Sequence, residues 1–155
     1  MSSEAKASST PSPQQQNTPN TPQPTHAPVV LPQSPPSPPP SPRRGEIWDV
    51  NWSPGRGAEQ QGTRPALIIQ NDRGNASSNY PLTIVASMSR TERELPLHVR
   101  ITPSAENGLT DYTDVKCEQV MTIEKSRLLR RRGSISNEEL ARVDNALKLS
   151  LNLPA

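Results

Sequence analysis

The sequence of 155 residues has little of what many functional classes need: it contains one cysteine, two histidines, seven glycines and no phenylalanine. A single cysteine, Cys117, excludes an internal disulfide framework and cysteine-based zinc sites, and it is typical of a reducing compartment. No apolar run approaches the roughly 18 residues of a membrane-spanning helix. The N-terminus also lacks the basic and then apolar pattern of a secretory signal. These features predict a cytoplasmic protein.

Histidines and metal ligands are equally scarce. His26 lies among the N-terminal prolines, so no pair of histidines is available for acid–base catalysis. His98 lies on the polar side of an alternating segment, which predicts an exposed strand residue. The sequence has neither the His, Asp and Glu spacing of a metal site nor a phosphate loop of the form GxxxxGKS or GxxxxGKT. We therefore expect any hydrolytic or transfer chemistry to need no metal or other cofactor.

Proline, in contrast, is abundant and unevenly spread. Of the 19 prolines, 13 lie in residues 1–42, where Glu4 and Lys6 are the only acidic or basic side chains apart from His26. Such a segment cannot bury enough apolar surface to offset the entropy lost on ordering. The sequence therefore predicts a disordered tail rich in Pro, Ser and Gln over residues 1–42 and one small folded domain over residues 43–155.

Within that domain the apolar residues follow the periodicity of strands. Five segments predict strands, of which the last supplies one or two: Glu46–Trp52, Pro65–Ile69, Leu82–Met88, Leu97–Ile101 and Asp114–Ile123. In the first, Trp48, Val50 and Trp52 share one face and the other is mainly polar, which indicates a half-buried strand. The second and third are nearly continuous apolar runs, typical of central strands covered on both faces.

The last element has the pattern of a helix. Ser136 and Glu139 have the spacing of a capping box, and four apolar residues follow at helical intervals: Leu140, Val143, Leu147 and Leu151. Because strands and helices do not alternate along the chain, a doubly wound parallel sheet is excluded. The fold class is mainly β with a C-terminal helix, built as a small antiparallel sheet or open barrel.

Two polar residues mark a candidate site at the ends of the predicted central strands. Arg64 is the last residue of a long polar connection, residues 53–64, and Pro65 holds it at the mouth of the second strand. Ser89 ends the third strand. Because neighbouring strands put their ends close together, a guanidinium and a hydroxyl group can face one pocket here.

Several blocks, in order along the chain, resemble the MazF/PemK family of toxin endoribonucleases. They are RRGEIWDVNWSPGRGAEQQGTRPALIIQND, TIVASMS, DVKCEQVMTIEKSRL and a final helix ending RVDNALKLSLNL. The resemblance runs from Arg43 to about Leu153. It implies a PemK-type, SH3-like antiparallel barrel, usually a homodimer. It also implies metal-independent cleavage of single-stranded RNA at short sequences, leaving 2′,3′-cyclic phosphate and 5′-hydroxyl ends.

The same resemblance implies catalytic residues. The family's arginine in its R-P motif matches Arg64, and its threonine after the third strand matches Ser89, which keeps the hydroxyl group but loses the methyl group that restricts χ1. An acidic residue that some members use matches Glu118. Glu118 or Glu59 is the predicted acceptor of the 2′-hydroxyl proton, and a structural salt bridge to Arg64 is an open alternative for both.

RNA recognition is expected to rely on polar side chains, because the aromatic residues are few and Trp48 and Trp52 belong to the predicted core. The predicted RNA-binding residues are Glu59, Gln60, Gln61, Lys116 and Gln119. The basic run Arg130–Arg132 is interpreted as a solvated edge rather than a track for phosphates.

The resemblance further implies a cognate antitoxin whose flexible acidic segment occupies the RNA groove. Two alternatives stay open. Related barrels include toxins that bind DNA gyrase without cutting nucleic acid, and a module that binds RNA or antitoxin without catalysis would carry Ser89 as its defect.

Overall fold

The computed structural model describes residues 9–13, 41–57 and 60–154. Its contacts separate residues 1–36 from residues 37–155. In the first part, residues 9–13 are exposed and belong to no helix or strand, and the rest of the predicted tail up to residue 40 lies outside the described residues. Both predicted domain limits therefore stay predictions. No helix in the described ranges is long and apolar enough to cross a membrane.

The folded part is an antiparallel sheet with one long helix. The six strands are β1 (Glu46–Asn51), β2 (Thr63–Ile68), β3 (Leu82–Ser89), β4 (His98–Ile101), β5 (Thr113–Glu124) and β6 (Leu128–Ser134). The helices are α1 (Asp72–Ala76) and α2 (Asn137–Ser150). The strands follow the order β4-β5-β3-β2-β1-β6 across the sheet. This confirms the predicted mainly-β fold class and adds β6 and α1, which the sequence patterns did not predict.

Both faces of the central strands are covered, as predicted for continuous apolar runs. Leu67 of β2 packs into a cluster on the α2 side of the sheet, whereas its neighbours Ala66 and Ile68 pack into a second cluster with Val50 and Trp52. The two clusters follow from the alternation of side chains along a strand. They hold β2 and β3 rigidly at the centre of the sheet, so the residues at the ends of these strands have fixed positions.

Strand β1 is buried on both faces, so the prediction of a half-buried strand with a polar face is wrong. Trp48, Val50 and Trp52 do lie in or against one apolar cluster. On the other face Ile47 is fully buried, and the acidic residue Asp49 is also buried because two arginines of β6 pair with it. Ionic pairing, which is not visible in the local pattern, makes burial of this face possible.

Helix α2 begins with the predicted capping box. The Ser136 side chain accepts from the N–H of Glu139, and the Glu139 side chain accepts from the N–H of Ser136. Val143 and Leu147 are buried against the sheet, but Leu151 is 58% exposed because it lies beyond the last turn, which ends at Ser150. The predicted apolar stripe is therefore right for three of its members and wrong for Leu151.

Candidate functional site

Arg64 and Ser89 lie at adjacent ends of the two central strands. β2 pairs with β3 in a register that sets Ala66 opposite Ser87, and continuing this register by two residues puts Arg64 opposite Ser89. Directly opposite residues of an antiparallel pair have Cβ atoms about 5 Å apart and point to the same face. Consistent with this, both residues line one cavity of about 430 Å³.

The sheet fixes the backbone of Arg64 while its side chain stays exposed. Arg64 pairs with Val50 of β1, and its carbonyl oxygen accepts from Nε1 of the buried Trp52 at 3.3 Å. Its Nη1 donates to the carbonyl oxygen of Thr63 at 3.2 Å. Within the described residues, no carboxylate forms a salt bridge with Arg64. Its guanidinium can therefore donate to an anion in the cavity.

The Ser89 hydroxyl group is oriented by the backbone. Its Oγ accepts from the N–H of Thr91 at 3.1 Å, which leaves the hydroxyl hydrogen for an acceptor elsewhere. A threonine at this position would restrict the hydroxyl through its methyl group, and here the Thr91 N–H provides a restraint of another kind. The hydroxyl group can donate a hydrogen bond into the cavity.

The charges around the cavity favour an anion. Three arginines and one aspartate occur among the described residues that line it: Arg64, Arg90, Arg132 and Asp111. Asp111 Oδ2 lies 3.3 Å from Arg90 Nη1. The side chain of Arg90 is 77% exposed and that of Asp111 is 55% exposed, so this ion pair is weak. The surplus of guanidinium groups suits the oxygens of a phosphate.

Arg90, Asp111 and Arg132 are residues that sequence reasoning missed as members of this site. Arg90 is adjacent to Ser89, which was a usable signal. Asp111 and Arg132 are more than 20 residues from Ser89 in the sequence, and the strands β5 and β6 bring them to the cavity only in the folded chain.

The predicted RNA-binding residues are only partly brought together. Gln60 lines the cavity with Arg64 and Ser89. Gln61 is exposed on the neighbouring loop, Lys116 is half-buried on β5, and the Oε1 of Gln119 accepts from the Ser87 hydroxyl at 2.8 Å. Glu59 lies outside the described residues.

Glu118 lies on β5, where it binds His98 instead of facing the cavity. Residues 117–119 of β5 have no pairing partner on β3, because the register shifts between Ala86 and Ser87. Such a bulge changes the direction of side chains, and Glu118 Oε1 lies 2.8 Å from His98 Nε2. The His98 side chain is 3% exposed. The prediction of an exposed His98 is therefore wrong, because folding brings its side chain against residues such as Glu118 that lie far from it in the sequence.

An ion pair between a buried carboxylate and a half-buried arginine supports the strand end that carries Ser89. Asp114 pairs with Ser89 on one side and with Arg100 of β4 on the other. The Arg100 Nε donates to Asp114 Oδ1 at 2.8 Å, and this hydrogen bond, with a second that Arg100 donates to Glu92, raises the pKa of Arg100. The N–H of Arg93 also donates to Asp114 at 3.4 Å, which ties the segment after Ser89 to the sheet.

Neither the cysteine nor a metal cluster offers a second reactive centre in the described chain. Cys117 is fully buried, and burial raises the pKa of its thiol to about 12, so it is protonated at neutral pH. In the ranges that the structure describes, no group of three or more His, Cys, Asp or Glu residues could hold a metal ion.

A family model and a curated relative both indicate the same family for this chain. The family model described as PemK-like, MazF-like toxin of type II toxin–antitoxin system matches residues 43–151. Among curated proteins, endoribonuclease MazF9 of Mycobacterium tuberculosis is 39% identical over 115 residues, which cover 72% of this chain and 97% of that protein.

Solved structures share the fold. MazF from Deinococcus radiodurans superimposes with a TM-score of 0.63 at 22% identity, over 73% of this chain and 98% of that one. A mycobacterial endoribonuclease in complex with its cognate antitoxin gives a TM-score of 0.59 at 24% identity, over 74% and 98% of the respective chains.

Proposed function

Because the chain belongs to the family of PemK-like and MazF-like toxins of type II toxin–antitoxin systems, we propose that it is an endoribonuclease. It cleaves single-stranded RNA at short sequences without a metal ion, and it leaves 2′,3′-cyclic phosphate and 5′-hydroxyl ends. The observation that carries this proposal is that Arg64 and Ser89 line one cavity with a surplus of guanidinium groups.

The reaction is an internal transfer at phosphorus. The 2′-oxygen attacks the phosphorus, the bond from phosphorus to the 5′-oxygen breaks, and the 2′-hydroxyl proton leaves as the 5′-oxygen gains one. Arg64 donates to two phosphate oxygens and neutralises the charge of the phosphorane, a role that suits a planar and permanent cation. Ser89 donates its hydroxyl hydrogen to a non-bridging oxygen, where negative charge develops.

A carboxylate is the natural acceptor of the 2′-hydroxyl proton. Glu59 and Glu118 were predicted for this role. Asp111, however, is the carboxylate that lines the cavity within the described residues, and Glu118 is bound to His98 on β5. We therefore propose Asp111 as the acceptor of the 2′-hydroxyl proton, and comparison of Asp111→Asn with Glu118→Gln tests this choice. The role of Glu59, which lies outside the described residues, stays a prediction.

The chain is proposed to act in the cytoplasm, where messenger RNA is available, as a homodimer that a cognate antitoxin inhibits. One solved relative with the same fold is an endoribonuclease in complex with its cognate antitoxin. A flexible acidic segment of an antitoxin would meet the same arginines that we assign to RNA, so inhibition follows from competition for one cationic cavity.

Mapping of RNA ends tests the proposal. The purified full chain is incubated with a long RNA, and the new 5′-hydroxyl ends are sequenced. We expect cuts at a short recurring sequence, unchanged by EDTA and abolished by a single 2′-deoxy nucleotide at the cut position. The absence of cuts would favour the gyrase-binding or non-catalytic alternatives, and inhibition by EDTA would indicate a metal-dependent nuclease.

A further inference from the structure

Three consecutive arginines on β6 have different surroundings. The side chains of Arg130 and Arg131 are 72% and 50% exposed, whereas that of Arg132 is 26% exposed. Arg132 is also the member of this run that lines the cavity with Arg64 and Ser89 in the described part of the chain. The interpretation of the whole run as a solvated edge is therefore wrong for Arg132.

A buried carboxylate orients Arg132. Asp49 of β1, whose side chain is 10% exposed, accepts from the Arg132 Nε at 2.7 Å. The same carboxylate accepts from Nε and Nη2 of Arg130 at 3.1 and 3.0 Å. Arg130 alone would thus keep Asp49 paired. Because the contact with Asp49 uses Nε, the terminal amino groups of Arg132 are available for a ligand in the cavity.

The backbone of Arg132 is held by close packing against the segment 106–108. A Cβ atom on Gly108, whose φ is +66°, would lie 2.4 Å from the Arg132 carbonyl oxygen, so only glycine permits this approach. The N–H of Ser134 donates to the Glu106 carbonyl oxygen at 2.9 Å. The chain then continues into Leu109, Thr110 and Asp111, which line the same cavity. Arg132 is thus positioned before any ligand binds.

From these contacts we infer that Arg132 binds a phosphate of the RNA next to the scissile one, an inference that rests on the proposed function. Arg64 and Ser89 bind the scissile phosphate. A single-stranded RNA that crosses the cavity presents further phosphates along its backbone. A guanidinium fixed through Nε can bind two oxygens of one phosphate through its remaining donors. Arg132 therefore determines the position of the RNA and takes no part in the chemical step.

Binding of an uncleavable RNA separates this role from catalysis. The probe is a labelled oligoribonucleotide that spans a mapped cut site and carries a 2′-deoxy nucleotide there, and its Kd is measured as a function of salt. We expect Arg132→Gln to raise Kd by about tenfold. It should also lower the slope of log Kd against log salt by about 0.7, the value for one lost phosphate contact on a single strand.

Arg130→Gln is the matched control, because it removes the other partner of Asp49 and leaves the cavity lining intact. It should change neither Kd nor the salt slope. Arg132→Lys keeps the positive charge and should retain the slope. A melting curve of each variant checks that it is folded. If Arg132→Gln and Arg130→Gln bind the probe equally well at every salt concentration, the inference is overturned.

Neutral phosphates locate the contact. A methylphosphonate is placed at each phosphate flanking the cut site in turn. At one flanking position, the methylphosphonate should lower the affinity of the unsubstituted protein but not that of Arg132→Gln. Equal losses of affinity in both proteins at every position would contradict the inference. If the unsubstituted protein cuts RNA while these binding differences are absent, only this inference fails. If it cuts no RNA at all, the proposed function fails.

Discussion

Two groups of charged side chains lie on one sheet and differ in the balance of their charges. Around the cavity, three arginines accompany one aspartate among the described lining residues. Along β4 and β5, Arg100 faces two carboxylates, Asp114 at 2.8 Å and Glu92 at 2.7 Å. We call the second group, with the pair of His98 and Glu118, the β4–β5 charge cluster.

From this difference we propose that arginines have two different roles in this fold. In the β4–β5 charge cluster the carboxylates satisfy the cation, so it stabilises the strand that supports Ser89 and cannot bind another anion. In the cavity the surplus of cations stays partly exposed, which costs little in water and favours a phosphate once a ligand excludes that water. Substitutions in the cavity should therefore lower the rate of cleavage, whereas those in the β4–β5 charge cluster should lower the stability of the fold.

The largest effect is expected from Arg64→Ala. Cleavage should slow by about 10²- to 10³-fold or more, because the phosphorane loses its charged donor. The melting temperature should not change, since Arg64 is exposed and forms no salt bridge within the described residues. Initial rates on an oligoribonucleotide with a mapped cut site measure the loss. Arg73→Ala, which removes an exposed arginine of α1 outside the cavity, is the matched control and should cleave normally.

A smaller effect, on stability, is expected from Arg100→Ala. Asp114 is 3% exposed and would lose its cation, so the free energy of unfolding should fall by a clearly measurable amount. Urea unfolding measures this change. Arg90→Ala breaks a pair that is exposed at both ends and should cost less than about 0.5 kcal/mol. Equal losses for the two variants would contradict the distinction between the groups.

Among the cleavage variants, those of the carboxylates should have a smaller effect than Arg64→Ala. Asp111→Asn should lower kcat by about 10²-fold, because general-base catalysis by a positioned carboxylate is lost while the phosphate contacts stay. Glu118→Gln should lower it less, since Glu118 is bound to His98 outside the cavity. Single-turnover rates of both variants on the same oligoribonucleotide make the comparison. If Glu118→Gln lowers the rate more than Asp111→Asn does, the proton acceptor is Glu118.

The local patterns were sufficient for most of the fold and for the shared position of Arg64 and Ser89 at one cavity, whereas their role in cleavage stays a prediction. Alternation and apolar runs predicted the strands β1 to β5, and the capping box predicted α2, because these signals depend on near neighbours in the sequence. Arg64 and Ser89 were predictable for a related reason: each ends a central strand, and consecutive antiparallel strands bring such ends together.

The misses at β6, His98, Arg132 and Asp111 depend on contacts between distant segments, whereas those at α1, Leu151 and Arg90 are local. Strand β6 was not predicted because its arginines are polar, and their acidic partners on β1 are more than 80 residues away. His98 was expected to be exposed because its contact with Glu118, 20 residues away, leaves no local signal. Arg132 and Asp111 join the cavity only through the pairing of strands, so composition and spacing could not assign them to it.

A double-mutant cycle tests most directly whether Arg64 and Ser89 act on one phosphate. The cleavage rates of Arg64→Ala, Ser89→Ala and the double variant are compared with that of the unsubstituted protein. Ser89→Ala should slow cleavage by about 10²-fold. If both groups hold the same phosphate, the double variant should be little slower than Arg64→Ala, because loss of one donor already misplaces the phosphate for the other. A double variant whose loss equals the product of the two single losses would contradict a shared site.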